Sequence, residues 1–415
     1  MRTFMHVAAA AVVLIVDWLS GASRNHEEAA RAPIIRFIVN HPWLTAAALT
    51  CAVVTAAALV LVSGVVPIKA SSGHWAITAR LLDFAKLRSV ATHSMGIEAP
   101  ALDDEALILR GAAHYENGCY PCHGRPGAGV PPVMAAMTPD PPELTGTLSR
   151  YTPEQLFSIV KHGIKFTGMP AWPVQARDDE VWAVVAFLRR MPGLDATAYR
   201  RLAYGESAGG SEAEPSLPTT GGQPLPDAVR DSCWRCHRRD GTGRGPGAFP
   251  SLAGQRAEYL HASLRAFADR RRFSGIMSGI AAALSDDAMR EAAEYYATLP
   301  PREAERSADS SARERGALIV VRGIPDRDIP ACAECHGPTD APKNPLYPQL
   351  ARQHPRYLVS QLELLKGRRR GGSPNVTLMH AFVDRLSPAH IRDVASYYGS
   401  LEVQPAQRPS VVAGE

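Results

Sequence analysis

Five residues, written three times, constrain this chain more than anything else in it. Cys119-Tyr120-Pro121-Cys122-His123, Cys233-Trp234-Arg235-Cys236-His237 and Cys332-Ala333-Glu334-Cys335-His336 share the pattern Cys-x-x-Cys-His, the attachment signal for c-type haem. The chemistry demands that order. Two thiols spaced to reach the two vinyl groups of one porphyrin become thioethers. The histidine directly after the second thiol then lies under the ring, where its imidazole ligates the iron. Six of the seven cysteines are consumed in this way, and Cys51, inside an apolar run, reads as a packing residue. A single Cys-x-x-Cys would also suit half a zinc site or a thioredoxin-like redox pair. Zinc wants a second pair at finger spacing, and a redox pair has no need of the next histidine, which all three copies carry.

The 415 residues suffice for two to four domains. A net charge of +4 is too weak to argue for nucleic acid, and no phosphate-binding glycine loop or nucleophile elbow is present. Residues 43–66 run without a charge, which is enough for one helical bilayer crossing. Arg24, Arg31 and Arg36 precede that run, so residues 1–42 are expected in the cytoplasm and everything after Val66 outside the bacterial cytoplasmic membrane, in the periplasm. The reading is an uncleaved anchor, with a cleaved signal as the alternative. The shorter apolar run 4–19 contains Asp17. It is compatible with a second span, an interfacial helix or an upstream extension of the reading frame. Within the connecting segment 67–102, a helical stretch from His74 to His93 carries Ile77, Leu81, Leu82, Phe84 and Leu87. Two readings stand for it: a helix on the membrane surface, or a packing helix for the domain that follows.

The first haem domain is expected over residues 103–199. Asp103-Asp104-Glu105 opens its first helix with acids in the first turn. Thr152-Pro153-Glu154-Gln155 opens another with proline at the first helical position. A last amphipathic helix is expected from Asp178 to Arg190, with Trp182, Val185 and Phe187 inward. Residues 200–225, rich in Gly, Ser, Pro and Glu, read as a flexible linker. The second domain, 226–301, and the third, 312–402, are copies of one another joined by 302–311. Leu252, Ala253, Gln255, Tyr259, Leu260, Leu264 and Arg270 to Arg272 recur 98 positions on as Leu350, Ala351, Gln353, Tyr357, Leu358, Leu362 and Arg368 to Arg370. Beyond a four-residue insertion, Met277, Leu284, Ser285, Tyr295 and Tyr296 recur as Met379, Leu386, Ser387, Tyr397 and Tyr398, now 102 apart. A constant offset over so many positions marks an internal duplication. Residues 403–415 read as a disordered tail.

The opposite axial position of each iron suits a methionine, whose thioether raises the reduction potential. Met169 stands 46 positions beyond His123, Met277 stands 40 beyond His237, and Met379 stands 43 beyond His336. The commoner fate of a methionine is core filler, and that is the expectation for Met134, Met137, Met191 and Met289. His380, next to Met379, competes for the third iron. Pro142, Pro250 and Pro348 recur before Leu144, Leu252 and Leu350. A loop proline offers a carbonyl and no N–H, which suits an acceptor for the second nitrogen of the ligating histidine, and a plain loop proline is the rival reading. The arginine triplets are read as solvated helix faces or as partners for haem propionates. The tyrosine pairs are read as core, and Lys161 and Lys165 as solubilising or docking lysines.

Each domain resembles a class I cytochrome c: N-terminal helix, Cys-x-x-Cys-His, Pro-x-Leu loop, methionine loop, C-terminal helix. The second and third together resemble the di-haem cytochrome c-four group, through Pro250-Ser251-Leu252-Ala253-Gly254-Gln255, Tyr259-Leu260, Met277, Leu284-Ser285-Asp286 and Tyr295-Tyr296-Ala297 with their copies. Arg352 departs from that pattern where the second copy has Gly254. The resemblance implies an all-α fold, three tandem domains behind one transmembrane helix, and haem attachment outside the cytoplasmic membrane. The expected cofactors are three covalently bound haem c groups, on Cys119 and Cys122, Cys233 and Cys236, Cys332 and Cys335. The expected axial pairs are His123 with Met169, His237 with Met277 and His336 with Met379, and no catalytic residue is assigned. The function expected is single-electron transfer in a respiratory chain. Its partners would be a dehydrogenase or quinol-oxidising complex on one side and a terminal oxidase or soluble cytochrome on the other. The rivals are the cytochrome subunit of an alcohol or sugar-acid dehydrogenase, and a peroxidase or sulfur-compound oxidase with one open iron.

Overall fold

The computed structural model describes residues 38–66, 69–205, 225–306, 309–339, 342–372 and 375–402. The expectations for 4–19, for the three N-terminal arginines, for most of the linker and for the tail lie outside those residues. Among the described residues the secondary structure is helical, and strand-type pairing is limited to two isolated bridges, Arg125 with Gly129 and Ile324 with Ile329. The chain divides into two units, residues 1–73 and 74–415.

In the first unit, helix α1 (Pro42–Ser63) opens with proline in its first turn and stops at Gly64, which takes a left-handed φ of 64°. Its 22 residues are long and apolar enough to cross a bilayer. None of its side chains is buried, and Cys51 is exposed on it. Within this unit Cys51 packs against no core.

The second unit starts with α2 (Ala76–His93). After it, Ser94 is buried, and Ile97 and Leu102 pack on the first domain's core. Trp75, Ile77, Leu81 and Phe84 stay exposed, so packing accounts for the segment after the helix and not for its outer apolar face.

The first domain contains α3 (Glu105–Gly118), α4 (Pro153–His162), α5 (Asp178–Arg190) and α6 (Ala196–Tyr204). The helix starts are chemical. Asp104 accepts the Leu107 N–H at 2.9 Å, and Thr152 and Gln155 form a reciprocal capping box. Val185 and Phe187 are fully buried, while Trp182 is half-buried and stacks on Phe157 with ring centroids 4.3 Å apart. Helix α6 carries the ordered domain past residue 199: Tyr199 and Ala203 are buried in the same core.

The second domain opens with a short π-helical turn, Val229–Cys233, followed by α7 (Ala257–Ala268), α8 (Met277–Ala282) and α9 (Asp286–Thr298). The third has α10 (Ser310–Arg322), α11 (Pro355–Lys366), α12 (Val376–Val383) and α13 (Pro388–Ser400). Ser285 and Ser387 cap α9 and α13 through the N–H groups of Ala288 and His390. The duplication survives at its point of departure. Gly254, at φ 69°, and Arg352, at φ 61°, share the left-handed turn. Their N–H groups meet the matched carbonyls of Tyr296 and Tyr398 at 3.0 and 2.8 Å.

In the first and third domains the N- and C-terminal helices cross at a glycine. A Cβ on Gly111 would lie 1.9 Å from the Ala183 carbonyl oxygen, and one on Gly316 would lie 2.1 Å from that of Asp393. The second domain has no such crossing, because its N-terminal helix is shortened to the turns before His237. Those turns put Ala228 and Val229 on Ala292, Ala293 and Tyr296 of α9, while the outer face of α3 (Ala106, Leu109, Ala113) packs against Cys236, Ala248 and Phe249 of the second domain.

Two outcomes follow from this packing. Gly111→Ala and Gly316→Ala each push a methyl into backbone and should cost about 1–3 kcal/mol or more, read as lowered unfolding midpoints; unchanged midpoints would contradict the close crossing. His114 on α3 is buried edge-on to Trp172 at 5.1 Å. Burial pushes its imidazole down to about 4; Glu180 and Asp179 pull the other way, and Arg110 and Arg177 add to the depression. Between an ordinary value near 6.5 and about 4, the unfolded chain binds the extra proton, so stability is lost as pH falls through this window, at up to about 1.4 kcal/mol per unit. Denaturation of wild type and His114→Leu across that window should show the extra loss in wild type alone.

Candidate functional site

Each Cys-x-x-Cys-His stretch folds into a single helical turn, Tyr120–His123, Trp234–His237 and Ala333–His336, with its first cysteine immediately before. The His123 and His336 N–H groups reach the carbonyls of Cys119 and Cys332 at 2.9 and 3.0 Å. Helical spacing of three and four residues then gathers two sulfurs and the imidazole on one side. After each histidine the chain turns away through a left-handed residue, Gly124, Arg238 or Gly337, at φ 74°, 63° and 79°. A tyrosine hydroxyl pins that residue's carbonyl: Tyr115 to Gly124 at 2.7 Å, Tyr296 to Arg238 at 3.1 Å and Tyr398 to Gly337 at 2.8 Å. The second member of each tyrosine pair is thus core at its ring and a clamp at its hydroxyl.

The imidazoles are oriented alike. His123 Nδ1 lies 3.0 Å from the Pro142 carbonyl oxygen, His237 Nδ1 lies 3.2 Å from that of Pro250, and His336 Nδ1 lies 2.9 Å from that of Pro348. A carbonyl can only accept, so Nδ1 carries the hydrogen and the Nε2 lone pair is left for a metal. Burial favours the neutral form of two of these rings, pushing His237 down to about 4 and lowering His336. It also pushes the Cys119, Cys233 and Cys332 thiols up to about 12, 12 and 11. Uncharged sulfur is what such an environment tolerates, and a thioether is uncharged.

The candidate methionines occupy matched places. Met169 lies in the loop between α4 and α5, Met277 begins α8, and Met379 lies within α12. All three are half-buried. The Met169 N–H is held by Thr167 Oγ1 at 3.1 Å, and that of Met277 by Ser274 Oγ at 3.2 Å. His380 Nε2 is engaged by the Arg370 carbonyl at 3.1 Å. Met191 and Met289 are core, as expected. Met134 and Met137 are not: Met134 is half-buried and Met137 exposed. Met134 lies in a one-turn helix, Pro132–Ala135, outside the core, and Met137 in the bend after it reaches over Gly168, where a Cβ would meet its methyl at 2.5 Å.

The arginine triplets split by position. Arg270 and Arg368, both at φ 55°, end their helices in the left-handed region. The third of each, Arg272 and Arg370, turns into the seam between the second and third domains. Arg272 donates to Ser263 at 3.0 Å, to Tyr259 at 3.4 Å and to Tyr357 at 3.3 Å, and Arg370 donates to Tyr259 at 3.2 Å. Neither is paired with a carboxylate among the described residues, and Arg370 Nε is buried without a hydrogen-bond partner. Burial works to raise the Tyr259 phenol, but the two guanidiniums outweigh it and bring it down to about 8. Two cations gathered without an anion fit the carboxylates of porphyrin propionates. Around them the copies clasp reciprocally. Ser251 N–H donates to Gln353 Oε1 and Gln353 Nε2 donates to the Ser251 carbonyl, both at 2.9 Å. The matched pair Gln349 and Gln255 does the same at 3.0 and 2.9 Å. Sequence reading recorded Gln255 and Gln353 as repeated without giving them this role. Lys161 is tied to Asp178 at 2.6 Å rather than left free for docking.

Comparison with known proteins agrees with this geometry. Residues 106–188 match the family described as cytochrome c oxidase, cbb3-type, subunit III, and residues 227–301 match the family cytochrome c. The thiosulfate dehydrogenase electron acceptor of Thiomonas intermedia is 34% identical over 181 residues, 43% of this chain and 82% of the relative. Cytochrome c4 of Thiocapsa roseopersicina is 34% identical over 171 residues, covering 41% and 86%. Among solved structures, cytochrome c4 of Acidithiobacillus ferrooxidans shares 31% identity over 41% of this chain and 98% of that one, with a TM-score of 0.37. This chain belongs to the cytochrome c family, as a multi-haem, cytochrome c4-like electron-transfer protein with covalently bound haem c.

Proposed function

We propose that the chain binds three haem c groups, one in each of the domains 103–199, 226–301 and 312–402, and relays single electrons between a dehydrogenase and an oxidase. The observation that carries this reading is the threefold bond from histidine Nδ1 to a proline carbonyl, which leaves His123, His237 and His336 each with a free Nε2. Haem c supplies reversible one-electron exchange at its iron. The chain supplies closed coordination from Met169, Met277 and Met379, buried surroundings and a fixed spacing between sites. The thioethers are assigned to Cys119 and Cys122, Cys233 and Cys236, Cys332 and Cys335. For the third iron Met379 is favoured over His380, whose Nε2 already meets the Arg370 carbonyl.

Two likenesses support the two ends of the relay. One family matching residues 106–188 is described as a cytochrome c oxidase subunit, and two relatives are named as electron acceptors of thiosulfate dehydrogenase. Helix α1 with Arg24, Arg31 and Arg36 before it supports a single-pass anchor in the cytoplasmic membrane, with all three haem domains in the periplasm.

Protease added to intact spheroplasts should remove the haem-stained domains; protection of those domains would contradict the orientation. Met379→Ala should open the third haem to carbon monoxide while His380→Ala leaves the spectrum unchanged, and the reverse pattern would reassign the ligand. Anaerobic mixing of the oxidised full chain with thiosulfate and thiosulfate dehydrogenase should reduce all three haems. A chain that stays oxidised there, yet is reduced by an alcohol or sugar-acid dehydrogenase, would move the donor to that class.

A further inference from the structure

In the sequence Glu180 is one of three acids in the first turn of α5, where an acid is ordinarily a solvated partner of the helix dipole. In the structure it is buried, 3% exposed, and faces the second domain. A buried carboxylate is tolerated only when its oxygens are satisfied, and four donors satisfy this one. Oε1 accepts from Ser274 Oγ at 2.8 Å and lies 3.1 Å from Arg177 Nη1. Oε2 accepts from the Gly275 N–H at 2.6 Å and from Trp172 Nε1 at 3.3 Å. Arg177 also donates to the Phe273 carbonyl. Three consecutive residues of the second domain, 273 to 275, are therefore held by the first.

Those residues immediately precede Met277. Ser274 Oγ, while donating to Glu180, also receives the Met277 N–H at 3.2 Å. Trp172 closes the other side: a Cβ on Gly275 would lie 2.8 Å from its indole, so that position admits only glycine at this approach. Trp172 itself stands three residues after Met169, which makes one wall shared by two methionine loops. The third domain has no counterpart. At the offset of 102, Val376 and Thr377 stand where the second domain has Ser274 and Gly275.

We propose that Glu180 is a positioning residue for the second haem: through Ser274 and Gly275, the docked first domain fixes the loop that presents Met277 to iron. This rests on the reading of Met277 as the axial ligand. Charge-assisted bonds to a buried carboxylate are the strong kind, so removing Glu180 frees the loop and takes the acceptor from Ser274 Oγ, the Gly275 N–H and Trp172 Nε1. A methionine that is no longer held yields its position to an exogenous ligand, and the reduction potential of that haem falls.

The test uses the full-length holoprotein and carbon monoxide, with redox titration of each haem. Met277→Ala should make one haem in three bind carbon monoxide. Glu180→Ala and Ser274→Ala should expose the same haem in part and lower its potential, both leaving the third haem unchanged and Ser274→Ala, which keeps the Trp172 bond to Glu180, leaving the first unchanged as well. Arg356→Ala removes an ion pair between the first and third domains, to Asp104, without touching the loop, and should leave all three haems unchanged. Ser274→Ala keeps the test decisive where Glu180→Ala fails to fold. If Met277→Ala opens a haem while Glu180→Ala and Ser274→Ala alter neither binding nor potential, the positioning role is overturned. If Arg356→Ala acts as Glu180→Ala does, loss of docking in general is the cause and the assignment to Glu180 falls. If Met277→Ala opens no haem, the ligand reading itself fails.

Discussion

The bond from each motif histidine to a proline carbonyl is the interaction on which the rest of the structure depends. An imidazole has two nitrogens, and an iron ligand must offer one of them unprotonated and correctly aimed. Holding Nδ1–H against Pro142, Pro250 or Pro348 settles tautomer and ring orientation together. The bond works only if the proline loop and the helical turn are both fixed. The tyrosine hydroxyls on Gly124, Arg238 and Gly337 fix the turn. Those tyrosines sit on helices packed through the domain cores, so each site is tied to the fold that surrounds it.

The domains share this unit and differ in how their helices close over it. The first and third use a glycine crossing at Gly111 and Gly316, and in the second the turns before His237 set Ala228 and Val229 on α9. The second and third, being copies, meet through the same residues on both sides, Gln255 with Gln349 and Ser251 with Gln353, as in a two-fold dimer fused into one chain. Arg272 and Arg370 concentrate positive charge in that seam, which fits acidic groups arriving from both sides. The first domain reaches the second by different contacts, Glu180 and Arg177 on residues 273–275.

Local chemistry was legible in the sequence. The cysteine and histidine spacing, the caps at Asp104, Thr152, Ser285 and Ser387, and the span of α5 are each set by residues within a turn of one another. The offsets of 98 and 102 disclosed the duplication, and Arg352 keeps the backbone turn of Gly254 despite its side chain. Illegible were contacts between residues far apart in the chain. Nothing near Glu180 announces that its partners stand 94 and 95 positions on, and nothing in the arginine triplets says that the third member reaches the tyrosines of the seam. Met137 read as core because composition cannot distinguish a methionine in a helix from one in a loop laid over Gly168. The packing of α3 on Cys236, Ala248 and Phe249 of the second domain was equally hidden, since it joins residues more than 120 positions apart.

The central claim is that three irons are held closed by histidine and methionine. The optical spectrum of the dithionite-reduced full chain, with and without carbon monoxide and beside a haem-to-protein ratio, tests it most directly. The account predicts three haems per chain and no spectral change on adding the gas. A response from one third of the haem, or fewer than three haems, would contradict it and turn attention to an open iron and a substrate.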